Sequence, residues 1–187
     1  MRKVHDEVKK LNQSISEFGS SDLSHSIAYG KELPINPTNN EKKEWVEFIS
    51  NELEKHFDEE TIKNIRMGCH CTENGKLDES KTFIKRVFSE SSNFEEFVSN
   101  MNKHGAGWFI DNGDLFTQFH SCSCSMLDGV DVLPTKTWCY CTVGFNKSIF
   151  EDVFECEVDI ELVESIKMGD DRCLMRIIPS NNPFIKE

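Results

Sequence analysis

The hydrophobic positions of the N-terminal half recur with the period of an α-helix. In residues 1–18 the apolar side chains Val4, Val8, Leu11 and Ile15 are three or four positions apart, which places them on one stripe of a helix. Similar stripes predict four more helices, at about 41–57, 59–67, 78–89 and 93–103. The pattern therefore predicts a largely helical first half.

Turn-forming residues separate the first helix from the rest of the chain. Gly19-Ser20-Ser21-Asp22 ends that helix, and an irregular connector is expected over 25–40. This connector contains Gly30, Pro34 and Pro37. We expect Asn40 to cap the helix that follows. Residues 1–35 are accordingly predicted to be an N-terminal helix and connector, and residues 36–187 a single cysteine-rich domain.

The second half has the alternation of β-strands. Residues 108–119 predict a hairpin around the turn Asn112-Gly113. Three more strands are expected at about 135–143, 156–166 and 172–178, with a helix near 146–154. Acidic residues alternate with apolar ones along 156–166, which predicts a strand with one face in water. The predicted fold class is α+β, with N-terminal helices packed on a mainly antiparallel sheet of about five strands.

Composition and charge limit the classes of partner. The formal net charge of −12 repels phosphate backbones, so we expect no nucleic-acid partner. No stretch approaches the ~20 apolar residues of a membrane span, and the polar N-terminus does not resemble a signal peptide. The sequence thus predicts a soluble cytoplasmic protein, in which the eight cysteines are thiols. Clustered thiols in such a compartment indicate metal or redox chemistry rather than a disulfide scaffold.

Six of these cysteines form three Cys-x-Cys units. The units are Cys69-His70-Cys71, Cys122-Ser123-Cys124 and Cys139-Tyr140-Cys141. Residues i and i+2 of a strand face the same way, so His120 shares a face with Cys122 and Cys124 if 115–124 is extended. If that segment pairs antiparallel with 135–143, one register opposes Cys122 to Cys141 and Cys124 to Cys139. This register predicts four thiols in a square on one sheet face.

Four thiols this close are the ligand set of zinc or of an iron–sulfur cluster. Zinc is the first expectation, because soft thiolates favour it over magnesium or calcium. The predicted metal ligands are Cys69, Cys71, Cys122, Cys124, Cys139, Cys141 and His120. A redox dithiol and plain core packing are the alternatives for these cysteines. Cys156 and Cys173, which lie on apolar strand faces, are assigned to the core.

The C-terminal quarter, residues 139–178, resembles a known kind of domain. Its features are Cys139-Tyr140-Cys141-Thr142, the acidic–apolar strand Glu161-Leu162-Val163-Glu164-Ser165-Ile166, and Gly169-Asp170-Asp171-Arg172-Cys173 before a last apolar strand. This order is similar to the tail of the four-vinyl-reductase domain and of the aminothiazoline-carboxylate hydrolase-like group. The resemblance implies a small-ligand-binding module whose cysteines are suspected of holding metal, and on it Cys173 would be a family cysteine.

Two classes of function remain open at this stage. The first is a metal-stabilised domain that binds or senses a small molecule, with zinc held by Cys122, Cys124, Cys139 and Cys141. The second is a metal-dependent hydrolase in which His120 or His70 is ligand or base. An iron–sulfur or redox protein is a third alternative. The sequence assigns no catalytic residue, and it leaves a homodimer open.

Overall fold

The computed structural model describes residues 4–70 and 76–185, with the side chain of Lys76 excepted. Seven α-helices lie in the described residues: α1 Asp6–Phe18, α2 Ser21–Ala28, α3 Asn39–His56, α4 Glu59–Gly68, α5 Lys76–Ser89, α6 Phe94–Asn102 and α7 Tyr140–Phe154. Four strands accompany them: β1 Phe109–Asp111, β2 Asp114–Phe119, β3 Val158–Glu164 and β4 Cys173–Pro179. The predicted α+β class is confirmed.

The chain forms two compact units. The first comprises the described residues of Met1–His70, Cys122–Gly144 and Lys167–Gly169. The second comprises those of Cys71–Ser121, Phe145–Ile166 and Asp170–Glu187. Neither unit has a boundary at residue 35, where the sequence analysis divides the chain.

Helices α1 and α2 bury the apolar residues of the N-terminus within the first unit. Val8, Leu11 and Ile15 are buried, as the predicted stripe requires, and α1 packs against α2 and α4. The irregular connector predicted over 25–40 is wrong in its first part. Ser21–Ala28 forms the separate helix α2. Its many serines do not favour a helix on their own, so burial of the apolar end of the segment stabilises it.

The start of α3 is fixed by a capping box. The Thr38 hydroxyl accepts a hydrogen bond from the Glu41 N–H at 3.3 Å, and the Glu41 carboxylate accepts one from the Thr38 N–H at 2.8 Å. The predicted cap at Asn40 is therefore wrong by two positions. The stripe of α3 is buried as expected, and it includes Trp45, whose indole N–H donates to the Lys31 carbonyl at 3.2 Å.

The strand predicted at 135–143 is a helix. Thr137–Cys139 forms a 3-10 turn and α7 begins at Tyr140. Thr137, Trp138, Cys139 and Tyr140 are all buried, whereas a strand of an open sheet would alternate buried and wet positions. Burial on every side overrides the strand preference of Thr, Trp and Tyr. The four thiols on one sheet face that this strand would supply are consequently not formed.

The sheet belongs to the second unit. Its four strands have the order β1-β2-β4-β3, and every neighbouring pair is antiparallel. The expected number of about five was wrong because 135–143 is helical. The predicted hairpin is confirmed: Asn112 and Gly113 have φ of 50° and 88°, as a two-residue type I′ turn requires. Helix α6 packs against β1.

An aromatic cluster forms the core of the second unit. Phe97 and Phe150 are fully buried and make edge or tilted ring contacts with Trp108 at 5.7 Å and 5.6 Å. Phe88 and Phe154 extend the cluster, with their centroids 5.2 Å apart. Aromatic burial of this extent supplies a core without covalent crosslinks. Among the described residues, no helix has the length and apolarity needed to cross a bilayer.

Gly144 allows α7 to lie directly on the end of α4. A Cβ atom at this position would be 2.7 Å from the Cα of Met67, a backbone atom that cannot rotate away. We therefore expect Gly144→Ala to lower the free energy of unfolding by about 1–3 kcal/mol, despite the ~1 kcal/mol higher helix propensity of alanine. Urea unfolding measures this change. Ser148→Ala, in the same helix, is the control and should change stability by less than ~0.5 kcal/mol; an equal effect of both changes would refute the close-packing argument.

Candidate functional site

Five of the six paired cysteines lie in the first unit. They are Cys69, Cys122, Cys124, Cys139 and Cys141. Cys71 lies outside the described residues, so its predicted role as a ligand is not addressed by the geometry. His120 belongs to the second unit and is exposed. Each of the three Cys-x-Cys motifs therefore contributes at least one described cysteine to the first compact unit.

Cys69 is placed by the end of α4. It is the C-cap residue of that helix, and its N–H donates to the Arg66 carbonyl at 3.1 Å. The residue is buried, and burial raises the pKa of its thiol, while the nearby charge of Arg66 and a polar contact with Ser14 oppose the rise. The Ser14 hydroxyl donates its proton to the Ile65 carbonyl, which ties α1 to the last turn of α4.

Cys124 and Cys141 are in direct contact. The Cys141 thiol donates a hydrogen bond to the Cys124 sulfur, and this bond is the largest cause that lowers the pKa of Cys124 to about 6. The backbone N–H of Met126 also donates to Cys124. The same bond from Cys141 raises the pKa of Cys141 well above its ordinary value, because its proton is held between the two sulfurs. Near neutral pH the pair therefore carries one thiolate and one shared proton.

The buried guanidinium of Arg66 lies among these sulfurs. Arg66 is 1% exposed, and its guanidinium carbon is 3.8 Å from the centroid of the Trp138 ring, a cation–π contact. Burial lowers the pKa of Arg66, but the charges of Cys69 and Cys141, and then those of Glu7 and Cys124, raise it above its ordinary value. We call Arg66, Trp138, Cys69, Cys124 and Cys141 the arginine–thiol cluster.

Several donors of this cluster lack acceptors. The Nε and Nη1 atoms of Arg66 are buried and, among the described residues, have no hydrogen-bond partner. The indole N–H of Trp138 is also buried without a well-aligned acceptor among the described residues. It points close enough to Cys124 to help lower the pKa of that thiol. Buried donors without acceptors are costly. Negative charge on the sulfurs is the compensation that the surroundings offer.

Hydrogen bonds at the protein surface hold the cysteine-bearing segments. The Tyr140 hydroxyl, between Cys139 and Cys141, donates to Glu59 at 2.8 Å. The Thr137 hydroxyl donates to Glu54 at 2.7 Å. These two bonds tie the start of α7 to α4 and α3. The segment of Cys124 is held in a similar way, since Lys42 of α3 donates to the Ser125 carbonyl at 2.8 Å.

Cys139 and Cys122 flank the cluster. Cys139 is 9% exposed, and its charge contributes to the raised pKa of Cys141. Cys122 is half-buried, two residues before Cys124. His70, the residue after Cys69, is held by a hydrogen bond between its Nδ1 and the Met67 carbonyl at 2.8 Å. Bonding of one ring nitrogen in this way is common for histidines whose other nitrogen binds a metal.

The described side chains do not form a closed metal site. Within residues 4–70 and 76–185, no group of three or more His, Cys, Asp or Glu side chains is arranged to hold a metal ion. The geometry instead brings two sulfurs into contact and adds a cation and a third buried thiol. Such an arrangement can stabilise thiolates, which are the form of cysteine that binds soft metals and reacts as a nucleophile.

The other two cysteines differ from what their sequence context predicted. Cys156 and Cys173, assigned to the core, are both half-buried and belong to the second unit. Cys173 is the first residue of β4, opposite the exposed Phe119. Cys173 is at a strand end, which is wetter than the centre, and Cys156 lies in a bend before β3, so alternation alone overstated their burial.

Sequence reasoning missed Arg66. The residue follows Ile62 by four positions, so it lies on the buried stripe of α4 with Ile62 and Ile65. An arginine at a stripe position of an otherwise polar helix is a signal of a buried charge. Its position three residues before Cys69 would have linked it to the cysteines.

The fold and the site define an α+β protein with thiols gathered around a buried arginine. The family model DUF6144, described as a family of unknown function, matches residues 1–184, and the chain belongs to this family. No curated protein and no solved structure matches the chain.

The contact between Cys124 and Cys141 predicts an unusual titration. In metal-free, reduced protein we expect one thiolate to form with a midpoint near pH 6, because the Cys141 hydrogen bond holds the pKa of Cys124 at about 6. Acidification through that pH should abolish it. Thiolate ultraviolet absorbance against pH measures the step, which Cys124→Ser should remove and Cys156→Ser should retain. Persistence of the step in Cys124→Ser would contradict the assignment.

Proposed function

We propose that this protein binds a soft metal ion, zinc first, through thiolates of Cys69, Cys124, Cys139 and Cys141. One observation carries the proposal: Cys69, Cys124 and Cys141, which come from three separate Cys-x-Cys units, act on the same buried guanidinium of Arg66. Cysteines that pack only as small hydrophobes have no reason to share a cation. The charge of Arg66 lowers the pKa of all three thiols against the effect of burial, and the thiolate is the form that zinc requires.

The charges of the cluster are consistent with a thiolate centre. Four thiolates and one Zn²⁺ carry a net charge of about −2, which is expensive to bury unless positive charge lies beside it. Arg66 supplies that charge. Binding would turn the side chains of Cys69 and Cys139 toward the contacting pair of Cys124 and Cys141. The roles predicted for Cys71, Cys122 and His120 rest on the sequence pattern alone.

The proposed biological use of the centre is the binding or sensing of a small molecule. Binding or sensing of a small molecule is supported by the resemblance of residues 139–178 to ligand-binding domains, and by no contact described above. A reducing, cytoplasmic location is supported by the cysteine pattern, because paired thiols in such a location are kept available for metal.

The contact between Cys124 and Cys141 favours a second function, a redox-active dithiol. Two contacting thiols can exchange with a low-molecular-weight disulfide. The Cys124 thiolate would attack one sulfur of that disulfide and release one thiol. The Cys141 thiolate would then attack the mixed disulfide, which forms the Cys124–Cys141 bond and releases the second thiol. The proton shared by the pair passes to one released thiolate, and the other released thiolate takes a proton from the solvent.

Metal content distinguishes these functions. We expect protein purified without oxygen or chelator to contain about one zinc per chain, measured by elemental analysis together with free-thiol counting. Less than about half a metal ion per chain, with a stoichiometric Cys124–Cys141 disulfide after exposure to oxidised glutathione, would reject the metal function in favour of the redox one. Visible absorbance of the purified protein with bound iron would identify a cluster instead of zinc.

Substitution of single cysteines tests the ligand set. We expect Cys124→Ser and Cys139→Ser to lower zinc affinity by about tenfold or more, because each removes a ligand. The matched control Cys156→Ser, a half-buried cysteine of the second unit, should leave affinity unchanged. Competition with a chromophoric chelator gives the dissociation constants. Equal, small effects of all three changes would count against a shared site.

A further inference from the structure

We infer that a cavity beside the start of α7 binds a small primary amine, whose ammonium group is held by the carboxylates of Glu54 and Glu59. The inference rests on the small-molecule part of the proposed function, for which it names a site and a ligand class, and it requires no metal ion. The cavity lies within the first unit, between the junction of α3 with α4 and the residues that lead into α7. Its volume is about 320 Å³, at the small end of the range of ligand pockets.

Apolar and aromatic side chains form one part of the cavity lining. Ile62 and Tyr140 are buried, and Phe57 is half-buried. An apolar wall of this kind packs against the body of a ligand, while a few polar groups fix its orientation. The lining therefore favours a ligand with a short apolar body and one polar head group.

Two carboxylates form the polar part of the lining. Glu54 accepts a hydrogen bond from the Thr137 hydroxyl at 2.7 Å, and Glu59 accepts one from the Tyr140 hydroxyl at 2.8 Å. Glu59 also pairs with Lys136 at 3.1 Å, whereas Glu54 forms no ion pair within the described part of the chain. The lining thus carries an excess of negative charge. The formal net charge of −12 acts in the same direction, so cationic ligands are favoured over anionic ones.

The ammonium group of Lys136 already uses the interactions that this cavity offers to an amine. Its Nζ atom is paired with the Glu59 carboxylate and is 5.7 Å from the centroid of the Tyr140 ring. A carboxylate together with an aromatic face is a general means of binding organic cations. The side chains of Lys136 and Glu59 are 49% and 73% exposed, so their ion pair is weak and opens at little cost. A ligand amine would compete with Lys136 for Glu59.

A buried hydroxyl in the lining distinguishes primary amines from other cations. Thr135 lines the cavity, and its Oγ1 atom is buried with no hydrogen-bond partner among the described residues. An unsatisfied buried hydroxyl costs free energy. A primary ammonium group has three N–H donors, which match the two carboxylates and the Thr135 oxygen in number. A quaternary ammonium group has no donor and would leave Thr135 unsatisfied.

Three matched probes test the class of ligand. Phenethylamine, phenethyl alcohol and hydrocinnamate each carry a phenyl ring on a short chain and differ in the head group. We expect phenethylamine to bind with a dissociation constant on the order of 1 mM and to shift the backbone amide NMR signals of Lys136, Thr137 and Tyr140. The alcohol and the carboxylate should bind about tenfold more weakly or less. Equal binding of amine and alcohol, tighter binding of hydrocinnamate, or no saturable binding of the amine would overturn the inference.

Two substitutions with opposite expected effects make the test specific. Glu54→Gln keeps an oxygen that accepts the Thr137 hydroxyl, so the protein should fold, but it removes a charge and should weaken phenethylamine binding by about tenfold. Lys136→Met removes the competing ammonium group and should tighten binding by about two- to fivefold. The control is Glu60→Gln, the same change of charge at an exposed position of α4 outside the cavity lining, and it should leave the affinity unchanged.

The variants also give results that would reject the site. Unchanged affinity in Glu54→Gln, or an equal loss in Glu54→Gln and Glu60→Gln, would show that no carboxylate of the cavity holds the amine. Weaker binding in Lys136→Met would make Lys136 a ligand contact and reject a site for cations. This exposed variant decides the matter if Glu54→Gln does not fold.

The outcomes are distinguishable from failure of the proposed metal function when zinc content is measured on the same protein. If zinc is bound and phenethylamine is not, the inference is overturned and the metal function stands. If phenethylamine binds as expected and no soft metal does, the metal function fails and the cavity keeps its ligand class.

Discussion

A guanidinium buried among sulfur atoms is the interaction on which the first unit depends. Water would solvate the charge of Arg66 far better than hydrocarbon does, so the group stays in the interior only if negative charge or polarisable matter surrounds it. Trp138 supplies the polarisable face, and the thiols supply groups that can ionise. Cysteine is unusual among small buried residues because it packs as a hydrophobe when protonated and ionises near neutral pH when a donor stabilises its thiolate, as Cys141 does for Cys124.

The elements that carry the cluster are held by contacts outside it. Ser14 ties α1 to the last turn of α4, and Tyr140 and Thr137 tie the start of α7 to acidic residues of α4 and α3. Gly144 permits the close approach of α7 to Met67. Oxygen-based hydrogen bonds and close backbone packing therefore hold the segments that carry the sulfurs.

Local patterns predicted the elements whose environment is simple. The stripe of Val8, Leu11 and Ile15 faces one side of a helix, and Asn112-Gly113 needs only its own backbone to form a turn, so both predictions are confirmed. Residues 135–143 were mistaken for a strand because tertiary burial, which no local pattern contains, decides their state. The predicted register opposed Cys122 to Cys141, whereas the contact that forms is between Cys124 and Cys141. The sequence places six cysteines in three pairs, and five of them lie in one unit. The cation among them was signalled by an arginine on the buried stripe of α4, three residues before Cys69.

The strand order of the sheet also bears on self-association. Strand β3 lies at one end of the order β1-β2-β4-β3, so one side of its backbone is not paired within the sheet. Its exposed positions carry Asp159, Glu161 and Val163, of which the first two are acidic. Antiparallel addition of a second copy at this edge would set these carboxylates beside their counterparts, and like charges on adjacent strands repel. The two carboxylates of β3 thus disfavour extension of the sheet by a second copy at this edge.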